Sequence, residues 1–172
     1  MKIFLEDVFK TSGTPTYTFV KPLEYTKLIV SLRTKGRGLV VEGPSGIGKT
    51  TSINKAIEET GLNSITSLSA RKKEDIELIQ MLPDFSDFGI VVVDDFHVLP
   101  NDIKKSLSDY MKTLADEDSI SSKLILIGIN KAGDSLVSFS PDLNNRIDTI
   151  RFEANPEEKI EDVSENDVKL DF

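Results

Sequence analysis

The run Gly43-Pro44-Ser45-Gly46-Ile47-Gly48-Lys49-Thr50 carries the strongest chemical signal in the chain. Glycines at 43 and 48, lysine at 49 and threonine at 50 fill every defined position of an eight-residue phosphate-gripping loop. Each residue type has a physical reason. Glycine lets the backbone fold back so that successive N–H groups converge on phosphate oxygens. A helix opening directly after the loop adds its positive end. Lys49 supplies a point charge to the outer phosphates, and Thr50 a hard oxygen for magnesium. Pro44, Ser45, Gly46 and Ile47 complete the loop, and Thr51 extends its polar character into the helix. The competing reading is a chance glycine-rich turn with an exposed lysine.

A second signal is Val91-Val92-Val93-Asp94-Asp95, two carboxylates where an apolar run ends. In an open α/β sheet that edge is where ligands bind. Asp94 is expected to hold magnesium, and Asp95 to polarise an attacking water; the alternative for Asp95 is a cap on the following turn. His97 is expected to pack or hydrogen-bond within that turn. Leu124-Ile125-Leu126-Ile127-Gly128-Ile129 leads to Asn130, whose amide could orient water or bond its own backbone as a loop-entry residue. Asn130-Lys131-Ala132-Gly133-Asp134 imitates a guanine-specificity motif, but its aspartate falls one residue late. Arg146 precedes the last apolar run. Its fork of donors suits the charge of a transferring phosphoryl group in a neighbouring subunit, or an ion pair with Asp142 or Asp148.

These groups need a scaffold, and the chain spells one out. Runs rich in β-branched residues recur at 38–42, 64–68, 89–94, 123–129 and 148–152, and near-continuous apolar runs suit strands buried on both faces. Helical spacing separates them at 23–34, 49–60, 72–82 and 101–116. In 101–116, Ile103, Leu107, Met111 and Leu114 fall on one stripe, and in 72–82 Ile76, Ile79, Met81 and Leu82 do the same. Strands alternating with helices predict an α/β fold with a parallel sheet and right-handed crossovers. Residues 11–16 read as a loop and 17–20 as a short extended piece. Pro156 with Glu157 and Glu158 has helix-start chemistry.

Composition removes other classes. The chain has 172 residues, 38% of them hydrophobic and 29% charged, which allows one domain with a real core. It has no cysteine and one histidine, so thiolate chemistry and His/His metal pairs are excluded. No apolar run is long enough to span a bilayer, and the first residues lack signal-peptide character, so a cytoplasmic protein is expected. Of the net charge of −8, most lies in residues 153–172, where eight acids face Lys159 and Lys169. The body is nearly neutral, and no basic stripe argues for nucleic acid.

The order of these motifs resembles the AAA+ ATPases, including the signalling branch known as STAND NTPases. In that resemblance residues 43–50 correspond to Walker A, 91–95 to Walker B, Asn130 to sensor 1 and Arg146 to the arginine finger. It covers about residues 15–160 and implies a three-layer P-loop NTPase domain. The implied sheet has five parallel strands in the order 5-1-4-3-2, with helices on both faces. It also implies ATP and Mg2+ as cofactors, assembly into a ring or filament, and a base-binding role near Phe19 and Val20. The implied division is an N-terminal segment at 1–22, the ATPase core at 23–154 and an acidic tail at 155–172. The tail is the possible start of a lid that this sequence does not continue, so a partner protein is one expected source of that lid. Apolar residues Ile160, Val163, Val168, Leu170 and Phe172 form a stub for such a partner.

Three function classes follow. The leading one is ATP binding and hydrolysis that drives or switches an assembly. The second is a slow or non-catalytic nucleotide switch binding ATP or ADP, favoured by Asp95 standing where many relatives have glutamate. The third is a small-molecule phosphotransferase, which the scattered Arg71, Arg146 and Arg151 fit poorly.

Overall fold

A computed structural model describes residues 19–62, 64–85, 87–117 and 121–153. The chain order is α1 (Tyr25–Arg33), β1 (Gly38–Glu42), α2 (Lys49–Thr60), β2 (Ile65–Ser69), α3 (Lys73–Met81), β3 (Ile90–Asp94), α4 (Asn101–Asp116), β4 (Lys123–Gly128), α5 (Ala132–Phe139) and β5 (Ile147–Arg151). Short 3₁₀ turns follow α3, β3 and α5, at Leu82–Asp84, Phe96–Val98 and Pro141–Asn145.

All five strands are parallel, in the spatial order β2-β3-β4-β1-β5, which is the expected 5-1-4-3-2 read from the other side. Alternation of side chains explains why the strands look uniformly apolar. Val40, Val91, Val93, Leu124 and Leu126 point to one face, against Ile79 of α3, Leu107 and Met111 of α4, and Leu136 of α5. Leu39, Val41, Val92, Ile125 and Ile127 point to the other, against Leu28 and Leu32 of α1 and Ile53 and Ala56 of α2. A sheet with both faces covered has no solvated side on which to place polar residues.

Local chemistry sets the element ends. Gly48 and Gly61, both left-handed at φ 87 and 68, bracket α2. Ser64 at φ 61 delays β2 to Ile65, and β5 starts one residue earlier than its apolar run suggests, at Ile147. Arg37 fastens that start. Its Nε donates to Asp148 at 2.9 Å, and its Nη groups donate to the carbonyls of Asn145 and Ile147 at 2.8 and 2.9 Å.

Local structure departs from the sequence pattern in places. Helix α5 was not read from the sequence. Gly133 and its serines are poor helix formers, and tertiary contact overrides them: Leu136 is fully buried, and a Cβ on Gly133 would come within 3.0 Å of Thr149. Met81 leaves the predicted stripe, because Ile79 and Leu82 take the core and Met81 stays 49% exposed. Arg146 closes the 3₁₀ turn Pro141–Asn145. Phe19 packs on the core beside Tyr25, ring centroids 5.7 Å apart. The loop expected at 11–16, most of the 1–22 segment, and the tail with its helix start and apolar stub lie outside the described residues.

Candidate functional site

The C-terminal ends of β1, β3 and β4 open onto a cleft of about 430 Å³. The phosphate-loop run forms one wall, through Ser45, Gly46 and Gly48, with Lys49, Thr50 and Thr51 behind it. Asp94, Asp95, His97 and Arg71 form the second wall, and Ile127, Gly128 and Ile129 the third. A larger hollow of about 560 Å³ lies at the opposite sheet edge. Its half-buried cation, Lys123, already donates to the carbonyls of Thr34 and Arg37, both at 2.7 Å.

The loop's geometry follows from its glycines. Gly43 adopts φ 151, and a Cβ there would sit 2.5 Å from the carbonyl oxygen of Phe152. Gly48 has φ 87 and a clear space around it, so its requirement is conformational rather than steric. Gly43 and Pro44 lie behind the cleft, where Lys49 Nζ donates to their carbonyls at 2.9 and 2.7 Å. Ile47 turns its side chain to the core. Burial pushes the Lys49 ammonium down from its usual value, against the pull of Asp94 and Asp95.

Thr50 and Asp94 meet at the head of the loop. The Thr50 hydroxyl donates to Asp94 Oδ2 at 2.8 Å, and Oδ1 accepts the backbone N–H of Asp95, also at 2.8 Å. A hydroxyl and a carboxylate side by side, next to the loop lysine, are hard-oxygen donors that fit magnesium on a phosphate chain. Asp95 is strained into the left-handed region at φ 57, and its side chain makes no cap bond. Instead Arg71 grips it, Nε to Oδ2 at 2.6 Å and Nη2 to Oδ1 at 3.2 Å, and the contact raises the arginine's pKa. His97 lines the cleft, and its Nδ1 is buried without a hydrogen-bond partner.

The remaining two predicted residues stand apart. Asn130 is exposed, two residues beyond the end of β4, and is not part of the cleft wall. Arg146 lies at the other edge of the sheet. β5 pairs in register with β1 from Gly38↔Ile147 to Glu42↔Arg151. At about 3.3 Å per residue, some 16 Å of strand therefore separates Arg146 from its own loop. Its carboxylate partner is neither of those anticipated: Nε donates to Asp116 at 2.6 Å and Nη1 to the carbonyl of Asp142 at 2.9 Å.

Sequence reasoning passed over two residues beside the loop. Arg71 was visible only as a scattered cation. Glu42 offered a clearer sign, an acid closing a strand whose other residues are apolar or glycine.

In fold, a five-stranded parallel sheet in the order 5-1-4-3-2 with helices on both faces, this arrangement is similar to solved structures of AAA+ ATPases. RuvB from Thermotoga maritima, the Holliday junction branch migration motor, superposes at TM-score 0.56 with 17% identity, over 86% of this chain and 53% of that one. Domain III of the replication initiation protein DnaA from the same organism gives 0.57 at 19%, over 90% and 74%. Cdc6p from Pyrobaculum aerophilum gives 0.59 at 18%, over 94% and 52%. The likeness is one of fold, and the chain spans about half the length of the RuvB and Cdc6p chains. No protein-family model matches the sequence, and no curated protein matches it. Among the described residues, no helix is long and apolar enough to cross a membrane.

Proposed function

We propose that this chain is a magnesium-dependent ATP-binding and ATP-hydrolysing module of the AAA+ type that drives or switches an oligomeric assembly. The observation that carries this reading is the 2.8 Å contact of Thr50 with Asp94 at the head of a loop whose lysine is in place. Loop amides and Lys49 bind the β- and γ-phosphates. Thr50 and Asp94 would hold the magnesium ion, which when bound neutralises phosphate charge and fixes the chain of phosphates. Asp95 orients water towards the γ-phosphorus, and Asn130, exposed two residues beyond β4, would have to turn towards the cleft to share that role.

Arg146 is assigned to a neighbour's site. It cannot reach its own loop, and a head-to-tail contact between copies would bring it to another. In its ground conformation it is held by Asp116, so assembly has to release it. The experiment is ATP turnover per chain across a wide protein concentration range. The reading expects turnover to climb with concentration in the wild type. It expects Arg146→Ala to bind ATP normally and to turn over at a flat, low rate. An Arg146→Ala protein with full turnover at high concentration contradicts the assignment.

A second reading has its own support. With Asp95 occupied by Arg71, the water-orienting carboxylate is engaged. That favours a slow switch of the STAND kind, in which bound nucleotide controls docking of a partner. Turnover at background, with ATP still raising the melting temperature, would select it.

A further inference from the structure

Glu42 closes β1 immediately ahead of the phosphate loop and is only 1% exposed. A buried carboxylate is tolerated only when its charge and lone pairs are met. Here they are met by two other segments. Oε1 accepts from Arg151, Nε at 2.8 Å and Nη2 at 2.7 Å, across the β1–β5 register. Oε2 accepts the Gly133 amide at 2.9 Å, in the first turn of α5, where the helix's positive end favours an anion. The Glu42 carbonyl also accepts the amide of Phe152 at 2.7 Å.

We propose that Glu42 is a positioning residue, with Arg151 as its partner, that sets the phosphate loop against the end of β5 and the first turn of α5. Glu42 is buried but the Arg151 side chain is 57% exposed, and an ion pair open to solvent on one side adds little stability. What the pair provides is geometry. Gly43, the next residue, is seated so closely on Phe152 that a Cβ would meet its carbonyl. The Arg151 fork holds that strand end in register, and the Gly133 bond holds the segment that follows Ile129 of the third wall. One side chain thus ties the loop's first residue to the end of β5 and to the first turn of α5. The inference rests on the loop being a nucleotide-phosphate site.

Calorimetric titration with ATP and with ADP tests it, because affinity and competent fraction are read separately. Glu42→Gln keeps the shape and an acceptor but removes the charge. The expected result is about tenfold weaker binding of both nucleotides at unchanged stoichiometry, a change of about 1.4 kcal/mol. Arg151→Lys, which keeps the charge but not the fork, is expected to fall between wild type and Glu42→Gln. Glu42→Gln combined with Arg151→Ala is expected to bind no more weakly than Glu42→Gln alone, as for residues acting through one another. Should Arg151→Ala fail to fold, the Gln and Lys variants decide. Wild-type affinity in Glu42→Gln overturns the proposal, as does reduced stoichiometry with unchanged affinity, the mark of a merely structural role. A wild-type chain that binds neither nucleotide overturns this inference together with the site reading beneath it; binding unaffected by Glu42→Gln overturns this inference alone.

Discussion

Arg71, one turn past β2, reaches the carboxylate of Asp95 at the end of β3, Nε to Oδ2 at 2.6 Å. The neighbouring Asp94 is meanwhile turned to Thr50. Two adjacent acids thus have separate partners, one facing the loop and the other an arginine with 62% of its side chain exposed. An exposed ion pair of this kind holds weakly and is screened by salt. Arg71→Ala should therefore raise ATP turnover a few-fold at low salt and less at high salt, with ATP affinity nearly unchanged. A fall in turnover would mean that Arg71 itself serves the phosphate.

The Thr50–Asp94 pair makes a different prediction. Asp94→Asn and Thr50→Ala should each cost turnover by about 100-fold or more, the scale of removing a preorganised electrostatic contact. They should also flatten the dependence of ATP binding on magnesium. Titration of binding against magnesium in each variant checks this, and an unchanged magnesium dependence would exclude the pair from the metal site.

Much of this was legible in the sequence, for identifiable reasons. The phosphate loop is a local motif whose residue types are dictated by backbone geometry, so it could be read without any fold. The strand order was implied only by the family resemblance that the motifs carried. Helix α5 was hidden because Gly133 and Ser135 carry no helical signal of their own; burial of Leu136 and the close approach to Thr149 form it. The partners of Asp95, Arg146 and Glu42 were hidden for another reason. Arg71, Asp116 and Arg151 lie 24, 30 and 109 positions away in the chain, and only the folded sheet brings them together.

Gly43 gives a stability test. Alanine there meets the Phe152 carbonyl at 2.5 Å, on a backbone at φ 151 that disfavours side chains. Gly43→Ala should lower the stability by about 2 kcal/mol, the scale of backbone strain combined with overpacking. Urea unfolding followed by circular dichroism measures it. Gly48→Ala, with open space around it, should cost less.

Lys123 gives a pH test. Burial lowers its ammonium from 10.5 to about 8, with Arg37 adding to the shift and Asp148 opposing it. Between those values the unfolded chain keeps a proton that the folded chain has released. The unfolded state therefore binds more protons, and the Lys123 contribution makes the protein more stable as pH rises from about 8 towards 10.5. Stability curves for wild type and Lys123→Met over that range should diverge in this sense. Parallel curves would place the titration elsewhere.

The central claim is that residues 43–50 bind the phosphates of ATP with magnesium, and calorimetric titration of wild type against Lys49→Ala tests it most directly. The account predicts one ATP per chain, tighter with magnesium than without, and no measurable binding in a folded Lys49→Ala protein. Equal binding by the two proteins, or none by the wild type, would contradict it.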